Sequence, residues 1–237
     1  MARKNLFLFV LAQLLFFSLE AQIPSGIVYP GLTCNNPGQC GNTQFVNDVF
    51  YDSLNEILYL AGDFNDASGN NRRKVAAVDI RSGTVLPWNP IVNTGKVLSI
   101  VRSGNTVYIG GTFTQVNSTT RNYLAAVDAT TGLLLPWNPN PNAQVSSLSI
   151  SGIFLIVGGN FTNISAQAHN YLVLYTTGNN SLNSWQPSLN TSYTNLDQAS
   201  VYNNKIYFRS DNLSGGNSVF ENALNSSLTN SIVSPGT

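Results

Sequence analysis

Short apolar runs alternate with turn-forming residues along most of the chain. In one stretch, "VLSIV" is followed by "SGN", "TVYIGG" by the polar "TQVNSTTR", "NYLAAVD" by "ATTG", and "LLLPW" closes the series. Runs rich in β-branched and aromatic residues, bounded by Gly, Asn, Asp and Pro, are typical of β-strands. After the apolar N-terminal run, no segment keeps the period of a long helix. The pattern predicts four short strands, with a polar loop between the second and the third.

This four-strand pattern recurs along the chain. Two aromatic positions return at intervals of 49 and 48 residues: Phe64, Phe113 and Phe161, and Trp88, Trp137 and Trp185. Four strands in each unit of this length are typical of β-propeller blades. We therefore predict an all-β, β-propeller-like array of four four-stranded blades, with about 48 residues per blade. The pattern leaves open whether the array is a closed ring or an open arc.

The predicted blades occupy residues 45–95, 96–144 and 145–194, with a degenerate fourth blade at 195–237. One blade cannot bury both of its faces, so neighbouring blades must stack. We expect the tryptophan that closes each of the first three blades to pack between neighbours. An open arc would leave exposed strand edges through which chains could self-associate.

Two aspartates precede turns that end in glycine, in "VDIRSG" and "VDATTG". Asp79 and Asp128 are expected to accept hydrogen bonds from backbone N–H groups of these turns. Gly83 and Gly132 supply the backbone freedom that the turns need. We therefore assign both aspartates a structural role and no catalytic one.

The segment "YIGGTFTQVNSTTRNYLAAVDATTGLLLPWNPN" resembles the delta-60-type repeats of secreted bacterial β-propeller proteins. The resemblance is good over residues 45–195 and weak over 196–237. It implies a propeller fold and export, but no activity, because the function of that family is largely unknown. "AVDATTGLLLPW" is also loosely similar to the tryptophan-docking motif of quinoprotein-like propellers. The acidic metal ligands of those enzymes have no counterpart in the sequence, so no cofactor is expected.

The N-terminus has the features of an export signal. Arg3 and Lys4 precede an apolar run from Leu6 to Leu19, and the small residue Ala21 suits a cleavage site. The run is shorter than the about 20 residues of a membrane span. We predict a signal peptide at 1–21, no membrane span after cleavage, and a secreted, periplasmic or cell-surface protein. An uncleaved anchor is the alternative.

Residues 22–44 form an N-terminal segment that contains "CNNPGQC". Outside the cytosol, a disulfide between Cys34 and Cys40 is the expected state. Two free thiols are the alternative. A structural zinc site is not expected, because the whole chain has only two cysteines and one histidine.

Charge is scarce and balanced in this chain. Charged residues make up 9% of the sequence, with 11 basic and 11 acidic side chains. The usual charged share is about 25%. Without a basic surface to attract phosphates, nucleic acid is excluded as an expected partner.

Equivalent positions in successive blades form rings around a propeller axis, and two such rings are candidate ligand sites. They contain Arg73, Arg121 and His169 before the third strand, and Asp63, Thr112 and Asn160 after the second. Converging arginine and amide groups suit a carboxylate, a sugar or an acidic peptide. The alternative is that the arginines only bind loop carbonyls or an acidic residue of the next blade.

Catalytic and metal-binding patterns are weak. "DFNDASGNN" offers oxygen donors for calcium, but it lacks the spacing and the bidentate Glu of an EF-hand. There is one histidine and no "GxSxG", and the few carboxylates are scattered. We expect neither a bound metal nor a catalytic set.

The sequence therefore favours a secreted or cell-surface β-propeller binding module with a protein or carbohydrate partner. One alternative is an extracellular hydrolase or lyase on a propeller scaffold. The other is a purely structural surface repeat protein.

Overall fold

The computed structural model describes residues 32–33, 45–184, 196, 198–202, 205–211 and 217–223. Every element assigned within these residues is a β-strand, so the all-β prediction is confirmed for this part of the chain. It contains no helix with the length and apolar character needed to cross a membrane. The predicted signal peptide, the Cys34–Cys40 pair and Trp185 lie outside the described residues.

The strands fall into repeated units. The first unit contains β1 (Leu32–Thr33), β2 (Phe45–Asp52), β3 (Ile57–Asp63), β4 (Asp66–Ala67), β5 (Asn70–Asn71) and β6 (Val75–Asp79). The second contains β7 (Val97–Ser103), β8 (Thr106–Gly111), β9 (Gln115–Val116), β10 (Thr119–Thr120) and β11 (Leu124–Asp128). The third contains β12 (Val145–Ser151), β13 (Phe154–Gly159), β14 (Asn163–Ile164), β15 (Gln167–Ala168), β16 (Leu172–Thr176) and β17 (Ser181–Leu182). The last strands are β18 (Gln198–Tyr202), β19 (Lys205–Asp211) and β20 (Asn217–Ala223).

Each unit is built on an antiparallel meander. The sheet orders are β2-β3-β6, β7-β8-β11, β12-β13-β16-β17 and β18-β19-β20. The first strands of successive units, β2, β7, β12 and β18, contact one another in that order. Meander sheets stacked through their first strands form a propeller-like array.

The apolar cores lie between the units. In β8, Val107 and Ile109 pack towards the first unit, whereas Tyr108 packs towards Leu155 of the third. The middle strand of each of the first three sheets is thus buried on both faces. This double burial explains why these strands are continuous apolar runs rather than alternating ones.

The predicted fourth strand is shorter than expected. In the first two units it is reduced to single β-bridges, Val78 to Val85 and Val127 to Leu134, and among the described residues of the first three units only the third has a two-residue fourth strand, β17. In the first two units a proline, Pro87 or Pro136, lies two residues after the bridge residue. Since proline has no N–H to donate, it prevents further pairing at this edge.

The segment predicted as a polar loop is a small hairpin. It consists of β4–β5, β9–β10 and β14–β15 in successive units. The chain entering the second unit bonds to β9 through a bridge between Val92 and Val116. In the first unit β1 takes the same place, because Leu32 pairs with Ala67. Each hairpin is therefore fastened to the segment that precedes its unit.

Glycine ends the second strand because two chain segments approach it closely. A Cβ atom on Gly110 would lie 2.6 Å from Cγ1 of Val145 in the next unit. A Cβ atom on Gly111 would overlap the carbonyl oxygen of Lys96, the residue just before the neighbouring strand β7. The "GG" repeat is therefore a packing requirement between and within units.

Polar side chains at the β-bulges of the first strands link the units in series. The Asp48 carboxylate accepts a hydrogen bond from Oγ of Ser99 at 2.8 Å. That Oγ accepts one from the backbone N–H of Leu148 at 3.0 Å. Oγ of Ser147 accepts one from the N–H of Ala199 at 2.9 Å. We call Asp48, Ser99 and Ser147 the inner links.

The tryptophans pack between units, as expected for the two that the structure describes. Trp88 is 4% exposed and donates from Nε1 to the carbonyl of Asp128 in the next unit, at 2.9 Å. The ring of Trp137 packs edge-on between Tyr108 of its own unit and Tyr175 of the next, at centroid distances of 5.5 and 5.0 Å. The predicted packing role is therefore confirmed for Trp88 and Trp137.

The role of the turn aspartates is also confirmed. Oδ1 of Asp128 accepts from the backbone N–H groups of Thr130 and Thr131, at 2.9 and 2.7 Å. Asp79 does the same in its own turn. Gly83 and Gly132 have positive φ, at 71° and 73°. Backbone hydrogen bonds lower the pKa of both carboxyl groups, so each turn is strongest while its aspartate is ionised.

The glycine packing predicts that alanine destabilises the protein at one glycine position and not at another. Gly111→Ala should lower the free energy of unfolding by about 1–3 kcal/mol, because its Cβ would meet backbone atoms that cannot move aside. Gly178→Ala is the control, because nothing lies within 4 Å of its added Cβ. Urea denaturation of the two variants measures the difference. Equal stabilities would contradict the proposed reason for the glycine pair.

The inner links predict a pH effect. Burial raises the pKa of Asp48 above its ordinary value of 3.8, against the lowering by its hydrogen-bond donors. The folded protein therefore binds this proton more tightly than the unfolded chain does. The stability that Asp48 contributes is fully present below the pKa that its carboxyl group has in the unfolded chain. It is lost as pH rises through the higher pKa of the same group in the folded protein. Asp48→Asn should thus gain stability relative to the wild type as pH rises from below 3.8 towards neutral, in parallel denaturation curves. A constant difference would reject the assignment.

Candidate functional site

A cavity lies where the loops of the first and second units meet. Its volume is about 370 Å³, which is within the size range of small-ligand pockets. We call it the junction cavity, and it is lined by Asp63, Asn65, Arg73, Lys74, Asn93, Gly95, Lys96 and Thr112. Its residues come from both units and from the segment between them, so its shape depends on how the units stack.

Local backbone structure places the buried cation of the cavity. Lys74 has a φ of 69°, and its N–H donates to the carbonyl of Phe64 at 2.8 Å. Tyr123 and Tyr171 repeat this arrangement, with φ of 63° and 66° and bonds to Phe113 and Phe161. The repeat therefore fixes the backbone at this position and leaves the side chain free to vary.

One carboxylate organises the charges. The ammonium of Lys74 lies 2.5 Å from Oδ1 of Asp63, and that of Lys96 lies 3.4 Å from Oδ2. Lys74 is buried, whereas Lys96 is about half-exposed. Arg73 is exposed and donates to Oδ1 of Asn93 at 3.4 Å. Three cations face one anion, so the lining carries a formal charge of +2 (3 − 1).

The corresponding place at the next junction is neutral. Its residues, aligned with the lining by the repeat, are Thr112, Thr114, Asn122, Tyr123, Asn142, Ala143, Gln144 and Asn160. The backbone bond from Thr112 N to Lys96 O recurs as Asn160 N to Gln144 O. The same junction therefore forms without charged residues, so the fold does not require the charges of the junction cavity.

The predicted site residues divide into two groups. Asp63, Arg73 and Thr112 line the junction cavity. Asn160 occupies the neutral second junction, while Arg121 and His169 do not line the cavity. Three of the six residues in the two predicted rings therefore line this cavity and three do not. As ligand contacts, all six residues stay predictions.

The alignment of the arginine ring needs a correction of one residue. The guanidinium of Arg121 donates to the carbonyls of Thr120 and Leu135, at 2.9 and 3.3 Å. Arg72, and not Arg73, makes the equivalent bonds in the first unit, to Asn71 and Leu86. The interval from the first to the second unit is 49 residues at this point, so counting 48 selected the exposed neighbour.

His169 occupies the arginine position of the third unit. It is 4% exposed, and its Nδ1 has no hydrogen-bond partner within the described part of the chain. Burial lowers its pKa, so the imidazole is neutral at pH 7.

The candidate calcium loop does not converge on one point. Asp63 faces two lysines, and the buried Asp66 accepts a hydrogen bond from the N–H of Gly69 at 2.7 Å. Across the residues that the structure describes, no group of three or more His, Cys, Asp or Glu side chains is placed to hold a metal ion.

Sequence reasoning missed five residues of the cavity lining: Asn65, Lys74, Asn93, Gly95 and Lys96. A signal for two of them was present. Lysine replaces the tyrosine of the other units at position 74, and lysine replaces glutamine at position 96. A comparison of charge between aligned repeats would have selected both.

Solved structures with a similar fold include the computationally designed Ika4 protein, at 11% identity and a TM-score of 0.44. That match covers 76% of this chain and 92% of Ika4. The WD40 domain of Neurospora crassa Pan2 matches at 12% identity and a TM-score of 0.44, covering 72% of this chain and 50% of that one. The chain thus spans half the length of the Pan2 domain. These distant similarities carry no argument about ligand or partner.

No model of a known protein family matches this chain, and no curated protein matches it either.

The hydrogen bonds of Arg121 predict a structural effect. Arg121→Ala should lower the free energy of unfolding by about 2 kcal/mol, because two carbonyls lose a charged donor. The control is Arg73→Ala, whose side chain is exposed and should change stability by no more than about 0.5 kcal/mol. Thermal and urea unfolding measure both. Unchanged stability with weakened ligand capture would instead support Arg121 as a ligand contact.

Proposed function

We propose that this protein is an exported binding module that captures a small polar ligand, or one polar group of a larger partner, in the junction cavity. The observation that carries the proposal is the charge difference between two otherwise equivalent junctions. Asp63, Arg73, Lys74 and Lys96 are charged at the first junction, and their counterparts at the second are all neutral. Charge without a structural need at one place in a repeat favours a ligand-binding role.

The finer features of the proposal come from the sequence. Four blades of about 48 residues, with β18–β20 belonging to the fourth, agree with the spacing of the repeats. The motifs "YIGGTF" and "AAVDATTG" support a place among the delta-60-type repeats of secreted bacterial proteins. The basic and apolar N-terminal run supports export.

The test is capture on glycan and peptide arrays by wild-type protein and by Lys96→Gln. Glutamine is the residue that the second junction carries at this position, so the variant should fold normally. Loss of one charged contact should weaken capture by about tenfold. Arg81→Gln removes one positive charge from an exposed turn at the opposite end of the sheet and should have no effect.

Three results would contradict the proposal. Equal capture by wild type and Lys96→Gln would place binding outside the junction cavity. No capture of any glycan or peptide would favour a purely structural repeat protein. Turnover of a captured ligand would favour the extracellular hydrolase or lyase.

A further inference from the structure

The charged side chains of the junction cavity differ in burial and in the closeness of their contacts. This difference indicates the chemical class of the ligand, an inference that rests on the proposed function. Lys74 and Asp63 form a close, largely buried pair at 2.5 Å. Breaking such a pair would leave one charge uncompensated, so it belongs to the wall of the cavity. Lys96 and Arg73 are the cations with exposed side chains and only long contacts, both at 3.4 Å.

Lys96 and Arg73 suit an anionic group. The guanidinium of Arg73 has five N–H donors in a planar fork that matches the two oxygens of a carboxylate. The ammonium of Lys96 has three donors, of which one points towards Asp63. With an excess of two positive charges, the lining attracts an anion and disfavours a cation.

Asp63 limits where the negative charge of that anion can lie. Its carboxylate stays in the wall and repels an anionic oxygen placed beside it, so the ligand's charged group lies on the side of Arg73 and Lys96. The same oxygens accept hydrogen bonds from hydroxyl groups. A ligand with one carboxylate and several hydroxyls uses both the cations and the anion of the site.

Size and polarity point the same way. A volume of about 370 Å³ exceeds the need of a bare carboxylate ion. The uncharged part of the lining offers the amides of Asn65 and Asn93 and the hydroxyl of Thr112, which act as donors and acceptors. No aromatic or aliphatic side chain is among the residues that line this cavity. Such a surface suits hydroxyl groups better than apolar ones.

We infer that the junction cavity binds a polyhydroxylated monocarboxylate, namely a uronic-acid unit of an acidic saccharide. The carboxylate lies against Arg73 and Lys96. The hydroxyls bond to Asp63, Asn93 and Thr112. The neutral second junction lacks both cations and does not take this ligand.

The experiment is a titration of the full chain, by calorimetry or NMR, with four probes: glucuronate, glucose, inorganic phosphate and a short peptide of aspartate and glutamate. Glucuronate and glucose have the same ring, and differ only in carboxylate against hydroxymethyl at C6. We expect saturable binding of glucuronate that weakens as salt is added. Glucose should bind about tenfold or more weakly.

Matched variants locate the binding. Arg73→Asn with Lys96→Gln introduces the residues of the second junction and should abolish glucuronate binding without loss of stability. Arg81→Gln should bind like the wild type. Glucuronate binding that survives the double substitution would overturn the assignment to the junction cavity.

The other outcomes separate this inference from the proposed function. Equal affinity for glucose, or tighter binding of phosphate than of glucuronate, would overturn the uronic-acid class. Tighter binding of the acidic peptide, with the same dependence on Lys96, would overturn the saccharide and leave the binding module intact. No binding of any of the four probes overturns the inference, and if the arrays also capture nothing, the proposed function falls with it.

Discussion

The close approach of one unit to the next is the constraint on which the rest of the structure depends. Gly110 has no side chain because Val145 of the following unit occupies that space. The inner links tie the same strands together, with Asp48 bonded to Ser99 and Ser99 bonded to the backbone of Leu148. Apolar packing alone is not directional. Hydrogen bonds at the bulges supply the direction, and so they set the register of each unit against its neighbour.

This stacking creates the junction cavity. Asp63 and Lys74 belong to one unit and Thr112 to the next, and the segment that holds Lys96 runs between them. Backbone bonds to glycine and phenylalanine positions hold the loop in each of the first three units, so the backbone of the loop does not depend on which side chains face the cavity. Lys74 stands where Tyr123 and Tyr171 stand in the other units, on the same backbone. A repeat of this kind can vary its chemistry at one junction while keeping its architecture.

Much of the fold could be predicted from periodicity, and the errors have identifiable causes. Apolar runs and turn residues located the strands of the first three units. The fourth strand was overestimated because its residues look like strand formers, although the following proline ends pairing. The hairpins between the second and third strands were missed because their strands are only two residues long and the second strand of each is exposed. The arginine ring was displaced by one residue because the first two units are 49, not 48, residues apart at that point.

The sequence by itself determined the repeat, the tryptophan packing and the aspartate turns, because each depends on residues that are close along the chain or recur with its period. Asp79 needs only the N–H groups of the next few residues, and its role follows from local geometry. Only the tertiary structure decided the candidate site. The ammonium of Lys96 meets a carboxylate 33 residues earlier in the chain, across a boundary between units. That distance depends on how two sheets stack, and no local pattern encodes it.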